Sequence, residues 1–257
     1  MARARAKRKK PERDVHMMHE QEKTDLGIFN ERTMTYLSKF FNKRIISKID
    51  FPIATGKESD VYLAEAGESD IIGNAELVAI KFFRVSTSSF YSMKDYIEGD
   101  PRFSRIRKGK SNIIDIWCRK EFGNLKAAYR AGVNVPKPYM CNRSILAMEF
   151  IGTDGMPSPK LKDIKIDKPD DMLDSIIAQA QGLFNAGLVH ADLSEYNVLV
   201  RDNMPCIIDM GQAVALKHPM AHEFLERDVK NILSYFRSKY NIERNAKEVF
   251  EIISASK

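Results

Sequence analysis

Two short segments near the C-terminal end, HADLSEYN at residues 190–197 and IIDMG at residues 207–211, specify most of the architecture of this chain. The first reads H-x-D-L-x-x-x-N and the second reads apolar-apolar-D-x-G, with a predicted hairpin between them. Phosphoryl transfer from ATP needs an acidic group to orient the attacking hydroxyl, and an Asn and an Asp to hold magnesium ions. Asp192, Asn197 and Asp209 supply these groups in the required order. The pattern therefore predicts a phosphoryl-transfer site.

A lysine and a glutamate upstream are predicted to form an ion pair. Lys81 ends the apolar run VAIK, although taken alone it also fits an edge-strand lysine with its head in solvent. Glu121 is the acid in an apolar helical face formed by Ile114, Trp117, Cys118, Leu125 and Ala128. A buried carboxylate needs a cation, and a Lys–Glu pair positions the ATP phosphates in kinases. The alternative is that Glu121 lies at the edge of this face and pairs with Arg119 or a solvent lysine.

A loop upstream of Lys81 has the composition of a phosphate-binding turn. It reads ATGKESDVY at residues 54–62 and lies between two strand-like segments, where small residues let backbone N–H groups approach phosphate oxygens. Its single glycine matches neither G-x-G-x-x-G nor a Walker A ending, so taken alone it fits a polar hairpin turn. Its place before Lys81 favours nucleotide binding by Thr55, Gly56, Lys57, Glu58 and Ser59.

Hydrophobic periodicity places the secondary structure in two groups. Helices are predicted at residues 30–48, 111–132, 169–185, 222–239 and 244–253. Strands are predicted at residues 61–63 and 77–83, and a hairpin of two strands at residues 139–141 and 144–150. Strands dominate before Ile151 and helices after it, which predicts an α+β chain of two lobes, residues 30–151 and 152–257, with a ligand in the cleft. Residues 85–110, rich in Ser, Lys and Arg, predict a flexible insertion.

The predicted lobe junction offers a binding surface for a base. Met148, Glu149 and Ile151 lie where a strand ends, so their backbone is placed to bind adenine, with Met148 beside the ring. Without the other motifs this segment would be read simply as a strand.

Composition excludes several classes of protein. The chain has 257 residues, 44% of them hydrophobic, and three scattered cysteines, which argues against a disulfide framework or zinc site and fits a reducing cytoplasm. No apolar run approaches membrane-spanning length, and no secretory signal is visible. The net charge is +6, and the first ten residues contain six Lys and Arg with no acid. This basic segment, within a leader at residues 1–29, suits either a nucleic-acid backbone or a solvated tail.

These motifs together resemble the RIO family of atypical protein kinases, most closely its Rio-one branch, over roughly residues 45–240. ATGKESDVY resembles the phosphate loop of that branch, KEFGNL around Glu121 its helix C, and HADLSEYN and IIDMGQAV its catalytic and metal loops. The segment HPMAHEFLERDVKNI, at residues 218–232, resembles the signature that separates this family from ordinary protein kinases.

The resemblance implies a two-lobed protein-kinase-like fold that uses ATP with Mg²⁺ or Mn²⁺. It implies Asp192 as the catalytic acid or base and Asn197 and Asp209 as metal ligands. It also implies serine autophosphorylation or ATP hydrolysis, with transient phosphorylation of Asp209, and a role on the pre-ribosomal small subunit and its rRNA.

The chain departs from ordinary protein kinases in the segment after Asp209. Met210 replaces the Phe of D-F-G, no A-P-E motif follows, and 46 residues remain after Gly211, which predicts a truncated helical C-lobe without a broad peptide groove. Two alternatives stay open: a nucleotide-binding module of pseudokinase type, and a small-molecule kinase of related fold.

Overall fold

A five-stranded antiparallel sheet forms the first lobe. The computed structural model describes residues 28–84, 96–97, 99–100, 102 and 110–255. The strands of the sheet are β1 (Ile46–Thr55), β2 (Ser59–Ala66), β3 (Leu77–Phe83), β4 (Pro138–Asn142) and β5 (Ile145–Glu149). They lie in the order β1-β2-β3-β5-β4. Strand β3 lies at the centre and is buried along nearly its whole length, which explains the continuous apolar run that ends in the FF pair after Lys81.

Helix α1 (Glu31–Asn42) covers one face of the sheet and is shorter than predicted. It begins at the N-cap Asn30, whose Oδ1 accepts a hydrogen bond from the backbone N–H of Thr33 at 3.0 Å. The prediction of a helix to residue 48 was wrong, because the chain turns at Arg44, where φ is 53°, and enters β1. The apolar pair Ile45-Ile46 that extended the helical pattern is instead buried in the core under the sheet.

Helix α2 (Lys110–Arg130) packs against the other face of the sheet, beside β4 and β5. Its apolar side chains, including Trp117 and Leu125, join a core that continues into the second lobe. The Sγ atoms of Cys118 on this helix and Cys141 on β4 lie 3.0 Å apart as free thiols. Cys206 on β10 is also a free thiol.

The second lobe consists mainly of helices, with several short strands between them. Its elements are the hairpin of β6 (Gly152–Thr153) and β7 (Met156–Pro157), helix α3 (Pro169–Asn185), β8 (Leu188–Val189), β9 (Val198–Arg201), β10 (Met204–Ile207), β11 (Val214–Ala215), helix α4 (Ala221–Tyr240) and helix α5 (Ala246–Ser254). Each predicted helix of this region is present within a few residues of its predicted bounds. The short pairs β9–β10 and β8–β11 frame the two loops that carry the acidic motifs.

The two-lobed α+β architecture is therefore confirmed, whereas the exact division at residue 151 stays a prediction. Residues 1–27 of the leader predicted at residues 1–29, and most of the insertion predicted at residues 85–110, lie outside the described residues. Among the described helices, none is both long and apolar enough to cross a membrane.

Candidate functional site

The cleft between the lobes brings three of the predicted charged residues together. Lys81 leaves the central strand β3 toward helix α2, where its Nζ lies 2.9 Å from both Glu121 carboxylate oxygens. The same Nζ lies 2.9 Å from Oδ1 of Asp209, which follows β10 across the cleft. Lys81 and Glu121 are buried, whereas the side chain of Asp209 is 50% exposed. The predicted Lys81–Glu121 pair is present, and the partner Arg119 of the alternative is not used.

Burial and charge compete in this cluster. Burial raises the pKa of Glu121 to about 7, against the lowering effect of Lys81. Burial opposes the charge on Lys81, but the carboxylates of Asp209 and Glu121 together raise its pKa. The surroundings of Asp209 disfavour its charge, yet Lys81 keeps its pKa below the ordinary range. Asp209 is therefore the ionised carboxylate that faces the cleft.

Asp192 and Asn197 come from one loop and contact each other. Asn197 Nδ2 donates to the backbone oxygen of Asp192 at 2.9 Å and to its Oδ2 at 3.1 Å. Gln212, which the sequence analysis did not single out, donates from Nε2 to the same Oδ2 at 3.2 Å. Burial and the charge of Asp209 raise the pKa of Asp192. A carboxylate with a raised pKa in a cleft is suited to accept and return a proton.

Helix α4 holds the loop of Asp192 through two residues that the sequence analysis did not assign a role. Asp228 accepts the backbone N–H of Ala191 at 2.7 Å and that of Leu193 at 2.8 Å. Arg227 donates to the carbonyl of Ala191. These bonds hold Ala191 at φ 64°, a left-handed conformation that is costly for a residue with a Cβ. The signal in the sequence was an acid, Asp228, at an otherwise apolar position of α4.

His190 links the two acidic loops without carrying charge. Its Nε2 lies 3.0 Å from the carbonyl oxygen of Ile208, just before Asp209. Burial lowers the pKa of His190, so the ring is neutral at physiological pH. This contact ties the loop of Asp192 to the backbone that precedes Asp209.

The predicted phosphate loop is the turn between β1 and β2. The N–H of Gly56 donates to the carbonyl of Ser59 at 3.0 Å. Arg84, at the end of β3, supports the loop from below, because its N–H donates to Glu58 O at 2.8 Å and its Nη2 to Gly56 O at 2.9 Å. Thr55, Gly56 and Lys57 are exposed at the turn. The charge of Glu58 adds to burial and the charge of Asp209 in raising the pKa of Asp192.

The predicted adenine-binding segment connects the lobes. The carboxylate of Glu149 is engaged, since Oε2 accepts the N–H of Lys137 at 3.2 Å and Oε1 lies 3.2 Å from Arg201 Nη1 on β9. Its side chain therefore ties the lobes together. Within the part of the chain that is described, the backbone N–H of Ile151 has no hydrogen-bond acceptor, and Met148 packs beside Leu63 and Ala79 at the cleft roof.

The oxygen donors available for a cation are few. The described residues hold no group of three or more His, Cys, Asp or Glu side chains arranged to bind a metal ion by themselves. Asn197 and Asp209 offer two oxygen ligands, which leaves most of a coordination sphere to other ligands. Magnesium sites in phosphoryl-transfer enzymes have this character, with one or two protein ligands plus water and phosphate oxygens.

Comparisons with known proteins agree with this geometry. The model of the RIO domain family matches residues 60–249. A RIO-type serine/threonine-protein kinase Rio1 from Haloferax volcanii is 39% identical over 218 residues, which cover 85% of this chain and 73% of the relative. The Rio1 kinase of Thermoplasma acidophilum is 43% identical over 182 residues, covering 71% of this chain and 96% of the relative.

A solved structure supports the fold. The Rio2 kinase of Chaetomium thermophilum, in a complex described as ADP/Mg²⁺-phosphoaspartate, superposes with a TM-score of 0.66 at 23% identity. The match covers 86% of this chain and 66% of that one. At this identity the likeness carries the two-lobed kinase-like architecture.

Proposed function

The chain belongs to the RIO family of serine/threonine-protein kinases, and we propose that it transfers the terminal phosphoryl group of ATP with the cleft residues described above. The observation that carries the proposal is the convergence of Lys81, Glu121 and Asp209, at 2.9 Å contacts, in the cleft that also holds Asp192. An ion pair that only stabilised the fold would need Lys81 and Glu121 alone. Here a half-exposed carboxylate, Asp209, joins them in the cleft that holds Asp192, whose pKa is raised.

Each residue has a role in this proposal. Lys81, oriented by Glu121, binds ATP phosphates, and the backbone of residues 55–59 covers them. Asp192 accepts the proton of the attacking hydroxyl, and Asn197 and Asp209 are the residues that would hold Mg²⁺. The bound cation would neutralise charge that develops on the transferred phosphoryl group. Mn²⁺ prefers the same oxygen ligands and is a second candidate.

The backbone at the lobe junction is proposed to bind adenine. The N–H of Ile151 is available as a donor, and Met148 lies at the roof of the cleft. Because the carboxylate of Glu149 pairs with Arg201, Glu149 would contribute through its backbone rather than its side chain.

Asp209 has a second proposed role as a phosphate acceptor. Its ionised, half-exposed carboxylate could attack the γ-phosphorus of ATP, forming a P–O bond to Asp209 and breaking the bond to the bridging oxygen of ADP. Water would then hydrolyse the aspartyl-phosphate, so the net reaction is ATP hydrolysis. The phosphoaspartate described for the Rio2 kinase of Chaetomium thermophilum supports this chemistry by analogy.

The test is mass spectrometry of the protein after incubation with ATP and Mg²⁺. An acid-stable phosphoserine indicates autophosphorylation, and a labile phosphate on Asp209 indicates a hydrolytic cycle. Asp209→Asn should abolish metal-dependent ATP turnover, and near-normal turnover in this variant would overturn the assignment. A nucleotide-binding pseudokinase predicts no turnover in the wild type, and a small-molecule kinase predicts phosphorylation of an added hydroxyl compound.

We also propose that the protein acts in the cytoplasm on the pre-ribosomal small subunit and its rRNA. The support is the family and the basic residues of the first ten positions, since cations near a phosphate backbone release counterions and give salt-dependent binding. Deleting residues 1–10 should flatten the dependence of RNA binding on salt concentration. An unchanged dependence would contradict the role of this segment.

A further inference from the structure

Helix α2 buries three polar side chains where it meets the loop that carries Asp209. Lys120, Glu121 and Asn124 are each at most 1% exposed. Glu121 is explained by its pair with Lys81. The other two contact a different partner, residues 209–213, which we call the metal loop.

Four hydrogen bonds join Lys120 and Asn124 to the metal loop. Lys120 Nζ donates to the carbonyl of Gly211 at 2.8 Å and to that of Ala213 at 2.5 Å. Asn124 Nδ2 donates to the carbonyls of Met210 and Ala213, both at 2.8 Å. The acceptors are three backbone oxygens, since the carbonyl of Ala213 accepts from both side chains, so the contact fixes the path of the loop whatever side chains the loop carries.

Burying the ammonium group of Lys120 to make this contact costs free energy. Its ammonium group is fully buried, and within the described part of the chain no carboxylate oxygen lies within ion-pairing distance of it. The two carbonyls, the ring of Trp117 at 5.2 Å and the more distant charges of Asp100 and Glu121 compensate for this burial only in part. Burial lowers the pKa of Lys120 to about 7. An apolar residue of similar volume would pack there at lower cost, so the benefit lies in the bonds themselves.

The backbone of the metal loop explains why it needs such bonds. Asp209 has φ 60°, in the left-handed region, which Asp enters more readily than most residues but at a cost in free energy that surrounding contacts must offset. Ala191, next to Asp192, has φ 64° and is held by Asp228 of helix α4. Each acidic loop thus contains one strained residue and is bound by buried polar side chains of a neighbouring helix.

We propose that Lys120 and Asn124 are positioning residues that aim the Asp209 carboxylate at the cation and the ATP phosphates. They act through the backbone of the metal loop and do not touch the reacting atoms. The inference rests on the proposed function of Asp209 as a metal ligand. Lys120 and Asn124 thus position the metal loop, whereas Glu121 on the same helix orients Lys81.

The test compares Lys120→Met, Lys120→Arg and Asn124→Ala with the wild type. Lys126→Met is the matched control, because Lys126 is exposed on the same helix. Three quantities are measured for each protein: ATP turnover as a function of Mg²⁺ concentration, ADP binding in the presence of EDTA, and the melting temperature. Loss of residues that orient a metal ligand typically costs about 10–100-fold in metal affinity or activity.

The expected result separates metal binding from folding. In Lys120→Met and Asn124→Ala, the Mg²⁺ concentration for half-maximal turnover should rise by about tenfold or more. ADP binding in EDTA should stay near the wild-type value. The melting temperature should fall only by the few degrees expected when buried carbonyls lose a donor. Lys120→Arg should recover part of the loss in Mg²⁺ dependence. An unchanged Mg²⁺ dependence in both variants overturns the inference. Failure of both to fold also overturns it, since the contact would then serve the fold alone.

The two proposals fail in distinguishable ways. If the wild type shows no metal-dependent turnover, the proposed function fails. If the wild type turns over ATP, Asp209→Asn is inactive, and Lys120→Met behaves like Lys126→Met, the function stands and only the positioning role fails.

Discussion

Lys81→Met is the substitution whose consequences follow most directly from the cleft. The change keeps the length of the side chain and removes the ammonium group that contacts both oxygens of Glu121 at 2.9 Å. It also removes the contact with Asp209, but that carboxylate is half exposed and can be hydrated. The cost in stability therefore comes mainly from Glu121, which is buried.

The expected loss is large and depends on pH. Removing one partner of a buried ion pair costs about 3–5 kcal/mol of unfolding free energy. Glu121 can escape part of that cost by binding a proton, since burial already raises its pKa to about 7 with Lys81 present, and the pKa rises further without Lys81. A carboxyl whose folded pKa exceeds its unfolded value of 4.5 stabilises the fold at low pH and loses that stabilisation as pH rises.

The stability difference between wild type and variant should therefore widen above pH 7. One proton accounts for at most about 1.4 kcal/mol per pH unit. Urea unfolding at pH 6, 7 and 8 measures it, with Lys81→Met/Glu121→Gln as the control. The double variant should regain stability, lose the pH-dependent difference and remain inactive. A deficit in Lys81→Met that is equal at all three pH values, or that shrinks as pH rises, would refute the argument.

Three further substitutions test the support of the cleft. Asp228→Asn leaves one acceptor oxygen for two backbone N–H groups, which should misplace Asp192. Steady-state kinetics should show that turnover falls by about 100-fold. Turnover at the wild-type rate would contradict the role of helix α4. Gly211→Ala places a Cβ 2.9 Å from Trp117 Nε1, so either helix α2 or the metal loop must move. The melting temperature should fall, and the Mg²⁺ concentration for half-maximal turnover should rise. If neither value changes, the site accommodates the methyl group without displacing Asp209. Arg201→Ala breaks a partly exposed ion pair with Glu149, so the unfolding free energy should change by less than about 1 kcal/mol. The KM for ATP should also change little. A large rise in KM would show that the ion pair sets the geometry of the lobe junction.

The parts of the fold that were predicted correctly depend on local patterns. The helix at residues 169–185 has a proline at its first position and a continuous apolar face, and the structure begins and ends it at the predicted residues. Strand β3 was equally clear from its apolar run. The end of α1 was missed because Ile45 and Ile46 continue a helical pattern, and only the core under the sheet decides that they belong to a strand.

The site divides in the same way. Asp192, Asn197 and Asp209 are marked by spacing along the chain, and the Lys81–Glu121 contact followed from the rule that a buried acid needs a cation. Lys120 violates the pattern that assigns a lysine to the surface, and its acceptors are backbone carbonyls about 90 residues further along the chain, which no side-chain pattern marks. Asp228 likewise binds backbone N–H groups, so its partner has no side-chain identity to read.

The left-handed backbone at Asp209 limits which residues could have occupied this position during evolution. Asp and Asn enter that conformation several times more readily than most other residues, and β-branched residues are nearly excluded from it. A glutamate would keep the carboxylate but would enter the left-handed conformation less readily than aspartate. The backbone conformation and the need for a carboxylate ligand therefore both favour Asp at this position. Asn is then the substitution that leaves the turn intact, and a loss of turnover in Asp209→Asn can be assigned to chemistry rather than to the shape of the loop.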